Sequence, residues 1–249
     1  MPVLSNKNAI KKILFNLLFP RHCVICETSG SYLCKNCLNA IPINKINLCP
    51  ICQSIETFAG RVCNVCENKR SKTYLDGLIV ASHYRNPVLR DTLFRFKYNF
   101  IQGLSFPLAK ILAKKIITLP EFPFADFTLV PVPIHPKRQI WRGFNQAALL
   151  AKRLQLLLNR REIFMEISPA LLLREKNPKP QMKIRSTFAR EKNIFGSFAF
   201  NKAFANDRPK KVILVDDITT TGATLNECAK VLKRYGVEKA WGLVLGRQG

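Results

Sequence analysis

Two apolar runs stand out in the second half of the chain, Phe127–Val132 and Val212–Val215. Neither alternates with polar residues, so each suits a strand buried on both faces of a parallel sheet. A further β-rich run covers Leu78–Ser82. Helical spacing is predicted over Pro87–Tyr98 and over Pro107–Ile117, where Leu108, Ile111, Leu112 and Lys115 recur on one side. It returns from Gly143-Phe144-Asn145-Gln146 to about Leu158, and again from Leu225 to Tyr235. More strands are predicted near Ile163–Ile167, Ser197–Phe200, 211–215 and 238–245, and a short amphipathic helix over 8–19. Strands alternating with helices imply an α/β fold, a largely parallel sheet with right-handed crossovers. Ligands in such sheets gather at the carboxyl ends of the strands.

One of those ends carries unusual chemistry. The run Val212–Val215 leads into Asp216 and Asp217, then a Thr/Gly stretch, then the helical segment. Such a turn opens a helix at its positive end, where backbone N–H groups collect phosphate. Two adjacent carboxylates can accept hydrogen bonds from vicinal hydroxyls, as on a ribose. The competing account is an ordinary strand-to-helix connection whose Asp and Thr only cap the helix. Over residues 212–224 the segment resembles the phosphoribosyl-pyrophosphate (PRPP) signature of type I phosphoribosyltransferases. That resemblance implies that Asp216 and Asp217 hold the ribose hydroxyls. It also implies that Thr219, Thr220, Thr221, Gly222, Ala223 and Thr224 wrap the 5′-phosphate.

A second constellation lies at 129–146, where Pro131-Val132-Pro133 is followed by His135, Lys137, Arg138 and Arg142. A constrained loop with these cations can present charge and N–H groups to a pyrophosphate. His135 reads either as a base or as a structural hydrogen-bonding group, and Arg142 either as an anion ligand or as the partner of a surface acid. A third stretch, Arg174 to Phe198, contains the polar Lys176–Gln181 segment and then Arg190, Asn193 and Gly196. It reads equally as a closing lid or as a solvated linker.

The first seventy residues differ in kind. Eight of the nine cysteines form four Cys-x-x-Cys pairs: Cys23/Cys26, Cys34/Cys37, Cys49/Cys52 and Cys63/Cys66. Each pair can form a knuckle, and two knuckles complete a tetrahedral zinc site with no open position, so the metal is structural. Disulfides and redox pairs compete with this reading; neither explains four copies in a chain without an export signal. Sequential pairing, Cys23/26/34/37 and Cys49/52/63/66, is preferred because the loops are short, with crossed pairing or a single zinc still open. The ninth cysteine, Cys228, reads as a buried apolar residue. The expected division is a cysteine module over 1–70 and an α/β domain over 71–249.

Charge adds a partner class. Lys and Arg number 40 against 16 Asp and Glu, a formal +24, and two four-thiolate zinc sites would leave roughly +20. That excess suits a polyanion such as nucleic acid, although a lysine-rich genome would also produce it. No stretch reaches the roughly 18 apolar residues of a membrane span, and no signal-peptide pattern opens the chain, so a cytoplasmic protein is expected.

Taken in order, the cysteine pairs, Val130–Gln146, Gln181 with Arg190 and Asn193, and 212–224 resemble the ComF family of competence proteins. Lys97-Tyr98 resembles that family's first segment. Ile184 stands where Leu would be expected. The resemblance implies a type I phosphoribosyltransferase-like parallel sheet flanked by helices, with an amino-terminal double zinc ribbon. It implies structural Zn²⁺, Mg²⁺ accompanying PRPP, and a cytoplasmic role in natural transformation. There the protein would handle single-stranded DNA beside a competence helicase or other DNA-processing proteins. The alternative is an active phosphoribosyltransferase of nucleotide salvage or purine metabolism, whose acceptor the sequence does not identify.

Overall fold

The computed structural model describes residues 21–68, 73–176 and 194–248; the expected helix at 8–19 lies outside them, as do Lys69, Arg70, Gln181, Ile184, Arg190 and Asn193. Four strands form a parallel sheet: β1 (Gly77–His83), β2 (Thr128–Pro131), β5 (Lys211–Thr219) and β6 (Lys239–Arg247), in the order β1-β6-β5-β2. A separate antiparallel pair, β3 (Leu172–Arg174) and β4 (Phe198–Phe200), completes the strands among the described residues. The strand expected at 197–200 therefore exists, but outside the parallel sheet. The strand expected at Ile163–Ile167 does not form. Glu162 sits in the left-handed region at φ 61°, and within the run only Ile167 bridges to Leu129, so the run meets the edge of β2 at one point.

The helices follow their predicted periods. Asn86 caps α3 (Pro87–Tyr98; α1 and α2 are the short Lys35–Asn39 and Asn64–Asn68), accepting the Leu89 N–H at 3.0 Å. Its buried residues Leu89, Leu93 and Phe96 recur at three- and four-residue steps. Helices α4 (Ser105–Ile117) and α6 (Gln146–Asn159) pack with α3 on one face of the sheet, against Ile213 and Val215 of β5. On the other face α7 (Ala223–Arg234) and the β3–β4 pair cover Val212 and Leu214. Cys228 is buried there, as expected of an apolar residue.

One segment departs from expectation. Residues 136–142, read as a constrained loop, form the helix α5 (Pro136–Arg142). Pro136 supplies a pre-set first position, His135 caps it by accepting the Lys137 N–H at 3.2 Å, and Gly143 ends it at φ 76°.

The cysteine segment is not a detached bead. Cys23, Leu33, Leu38, Ile41 and Ala59 belong to the same buried cluster as α3, α4 and α6. Backbone 42–44 runs along the free edge of β1, where Asn44 N–H donates to the Ala81 carbonyl at 2.9 Å and Ser82 Oγ to Pro42 O at 2.6 Å. Lys115, wholly buried, donates its ammonium to the Asn44 carbonyl at 2.6 Å, and burial lowers its pKa. Gly60 seats the next turn. At φ 70° it lies so close to the Leu78 carbonyl that a Cβ would collide with it. No helix among the described residues is long and apolar enough to cross a membrane.

Candidate functional site

β5 runs four residues beyond its predicted end because β6 offers a parallel partner as far as Arg247. Asp216 and Asp217 therefore sit inside a strand, and its two-residue period turns them to opposite sides. Asp217 shares the side of Ile213 and Val215. There its Oδ2 meets Lys97 Nζ of α3 at 2.8 Å, with both side chains largely buried. Its Oδ1 accepts the Ile218 N–H at 2.6 Å. Asp216 shares the side of Val212 and Leu214, and its Oδ1 accepts the Asp217 N–H at 2.8 Å. Burial first, and the Asp217 charge second, push the Asp216 carboxyl up to about 7, against the pull of Lys97, the Asp217 N–H and Arg174. The two acids thus remain electrostatically coupled across the strand.

The Thr-Gly turn follows at once. Thr219, the last residue of β5, accepts the Gln248 N–H at its carbonyl at 2.8 Å. The Thr220 carbonyl accepts Arg247 Nε at 3.1 Å. Thr221 Oγ1 accepts the Ala223 N–H at 3.3 Å, and Gly222 takes φ 86° as the first cap of α7. Having no side chain, Gly222 leaves open space where a Cβ would stand. The helix therefore points an amino end without a side-chain cap into that space, beside Thr224 on its first turn.

The cations arrive from β2 and α5. Val132 N–H still pairs with the Val215 carbonyl at 2.9 Å, and Asn145 Nδ2 holds the Val132 carbonyl at 3.1 Å while its Oδ1 caps α6. The loop between them is thereby anchored next to the acid pair. α5 carries Lys137, exposed, with Arg138 and Arg142 partly buried. Arg142 Nη1 donates to Gln146 Oε1 at 3.1 Å rather than to a surface acid. His135 serves as the helix cap described above, which favours its structural reading.

Two residues near the site had drawn no role from the sequence. Lys97 was noted as part of a segment, but its pairing with Asp217 depends on the packing of α3. Arg174, at the end of β3, is partly buried, with its guanidinium 5.0 Å from the Phe198 ring. Burial, and the neighbouring Arg138 charge, lower its pKa, while Asp216 and Cys228 pull the other way. Its Nε is buried and has no hydrogen-bond partner among the described residues. Arg174 thus lies electrostatically between the α5 cations and Asp216. No sequence pattern marks such a residue; it sits on a three-residue strand.

The sulfurs fall into two groups, Cys23/26/34/37 and Cys49/52/63/66, with the four ligand atoms of each within 4.8 Å of one another. Sequential pairing is the pairing the fold adopts. Backbone N–H groups of Cys34 and Cys63 point at the sulfurs of Cys23 and Cys49, each at 3.4 Å. The hydroxyls of Thr28 and Ser54 pull the Cys26 and Cys52 thiols down to about 6. Both sets suit a tetrahedral, structural Zn²⁺. A groove of about 760 Å³ lies between residues 44–53 and the ends of β1 and β6; it meets the Thr-Gly turn through Arg247.

Acids in the middle, an open helix amino end on one side and cations on the other can receive a hydroxylated ring with anionic groups at both ends. The fold and this arrangement define a phosphoribosyltransferase-type domain that carries a cysteine module. Residues 171–245 match the phosphoribosyl transferase domain. The chain is 31% identical to competence protein F of Haemophilus influenzae over 239 residues, 86% of this chain and 96% of that protein. It is 27% identical to competence protein ComFC of Bacillus subtilis, over 82% of this chain and 79% of that one. The DNA utilization protein YhgH of Escherichia coli is 24% identical, over 82% and 85% respectively. The chain belongs to the ComF family.

Proposed function

We propose that this protein binds PRPP or a related sugar phosphate and acts in natural competence, handling internalised single-stranded DNA in the cytoplasm. The observation that carries the ligand half is the placement of Asp216 and Asp217 between the Gly222 turn and the cations Arg174, Lys137, Arg138 and Arg142. In this reading Asp216 accepts the ribose hydroxyls, Asp217 joins it only by exchanging Lys97 for the ligand, Thr219–Thr224 surround the 5′-phosphate, and the cations with Mg²⁺ neutralise the diphosphate. Zn²⁺ fills both cysteine groups and holds residues 21–68 in shape against the domain whose core they share. The DNA half is supported by the formal +24 and by relatives named for competence and DNA utilization. Competence helicases and DNA-processing proteins are the expected partners.

The continuous 212–224 motif supports a second reading, an active phosphoribosyltransferase. There an acceptor would bond to C1 of PRPP as the C1–O bond to the departing pyrophosphate breaks through an oxocarbenium-like state, with positioning and charge supplying most of the rate. Calorimetry with PRPP on wild type and on the Asp216→Ala/Asp217→Ala variant tests the ligand; unchanged binding in the variant refutes the site. Complementation of a deletion strain with the same variant separates the readings. Full rescue of transformation by a variant that binds no PRPP would detach DNA uptake from sugar-phosphate chemistry.

A further inference from the structure

Next to the acid pair, the surface carries rings that the core does not use. Phe94 and Tyr98, one turn apart on α3, are 59% and 39% exposed, with ring centroids 5.0 Å apart. Phe100 and Trp141 meet edge to face at 5.0 Å, and Trp141 is 60% exposed. The Arg142 guanidinium joins the two pairs, 5.7 Å from the Tyr98 ring and 5.8 Å from that of Trp141. Four aromatic rings held open to solvent, on α3, on the turn just after it and on α5, are costly in a chain that buries most of its other large apolar residues.

We propose that these rings form a stacking platform for the unpaired bases of single-stranded nucleic acid. Stacking on aromatic faces, beside cations that follow the phosphates, is how sequence-tolerant single-strand binding is built. Both parts are here. Arg95 adjoins Phe94 on the exposed side of α3, Lys137 stands one helical turn before Trp141 on α5, and Arg142 lies between the ring pairs. A second copy of this chain, with its formal +24, would be repelled by that border, whereas a polyanion is drawn to it. Duplex DNA, its bases stacked inside, offers no face to the rings. The helix that bears Phe94 and Tyr98 also bears Lys97, bound to Asp217, so the strand would pass beside the sugar-phosphate site. The inference deepens the DNA-handling part of the proposed function and rests on it.

The chain provides its own reporter, since it has two tryptophans, Trp141 exposed and Trp241 buried against Phe122. Oligothymidylate should quench tryptophan emission in wild type and not in Trp141→Phe, where only Trp241 remains. An abasic strand of equal length and charge should bind at least about fivefold more weakly. Phe94→Ala and Trp141→Ala should each weaken oligothymidylate at least about fivefold, with PRPP binding by Phe94→Ala unchanged. Equal affinity for the thymidylate and abasic strands would overturn the platform while leaving charge-driven DNA handling in place. Absence of any oligonucleotide binding at low salt would overturn both. A change in oligomeric mass in the two alanine variants, without loss of DNA affinity, would assign the rings to contact between copies and also overturn the proposal.

Discussion

Replacing Asp216 by Asn should make the protein more stable above neutral pH and worse at holding its ligand. In the folded chain this carboxyl releases its proton only at about 7, whereas an unfolded aspartate does so near 3.9. Between those values the folded state keeps a proton that the unfolded state has lost, so stability falls as pH rises through the window. About three decades of proton concentration, at about 1.4 kcal/mol each, set a ceiling of about 4 kcal/mol. Asp216 is partly reached by solvent, which brings the expected cost nearer 2 kcal/mol. The asparagine oxygen can still accept the Asp217 N–H, so geometry survives while the buried charge and its repulsion with Asp217 go. Urea titrations of wild type and Asp216→Asn at pH 5 and pH 8 read the effect. The curves should differ by roughly 0.7 kcal/mol at pH 5, a little over a third of the cost, and by about 2 kcal/mol at pH 8, with the variant ahead at both. Parallel behaviour at both pH values would refute the assigned environment. The neighbouring Asp217→Asn is the contrasting control. It leaves Lys97 nearly buried without its anion, so it should destabilise by about 3 kcal/mol.

Other outcomes follow from the same contacts. Arg174→Met should lower affinity for inorganic pyrophosphate about tenfold or more, with stability unchanged or raised, because a largely desolvated guanidinium whose Nε has no hydrogen-bond partner among the described residues is removed. Isothermal calorimetry and a thermal melt check the two halves. Gly60→Ala should cost about 1–3 kcal/mol or more in a denaturant melt, from strained φ and contact with the Leu78 carbonyl. Metal analysis should return two zinc per chain, and a strong chelator should lower the melting temperature of the whole protein rather than of an isolated module, since Cys23 and Leu38 share the core of α4.

Much of this was legible in the residues, for identifiable reasons. Val212–Val215, the Leu89–Phe96 spacing and the short loops between cysteine pairs are local patterns, and local patterns fixed their elements correctly. The misses are positions decided by something distant in sequence. β5 outran its apolar run because β6 paired with it as far as Thr219. Ile163–Ile167 has strand-like composition but a single bridging position beside β2. The 136–142 helix hid behind Pro136, which reads as a loop residue until His135 and Gly143 are seen to cap its two ends. The acid pair was visible as a pair, yet its division between two faces, with Lys97 on one side and Arg174 on the other, needed the packed helices.

Arg247 deserves the last consequence. From the final residue of β6 its guanidinium reaches the Thr220 carbonyl at 3.1 Å and the Pro50 carbonyl, inside the Cys49/Cys52 knuckle, at 3.0 Å. One planar group thus spans two regions that sequence reading keeps apart. A knuckle that loosened would withdraw a brace from the very peptide that shapes the Thr-Gly bend, so loss of metal from Cys49 and Cys52 would be felt at the cradle through a single side chain.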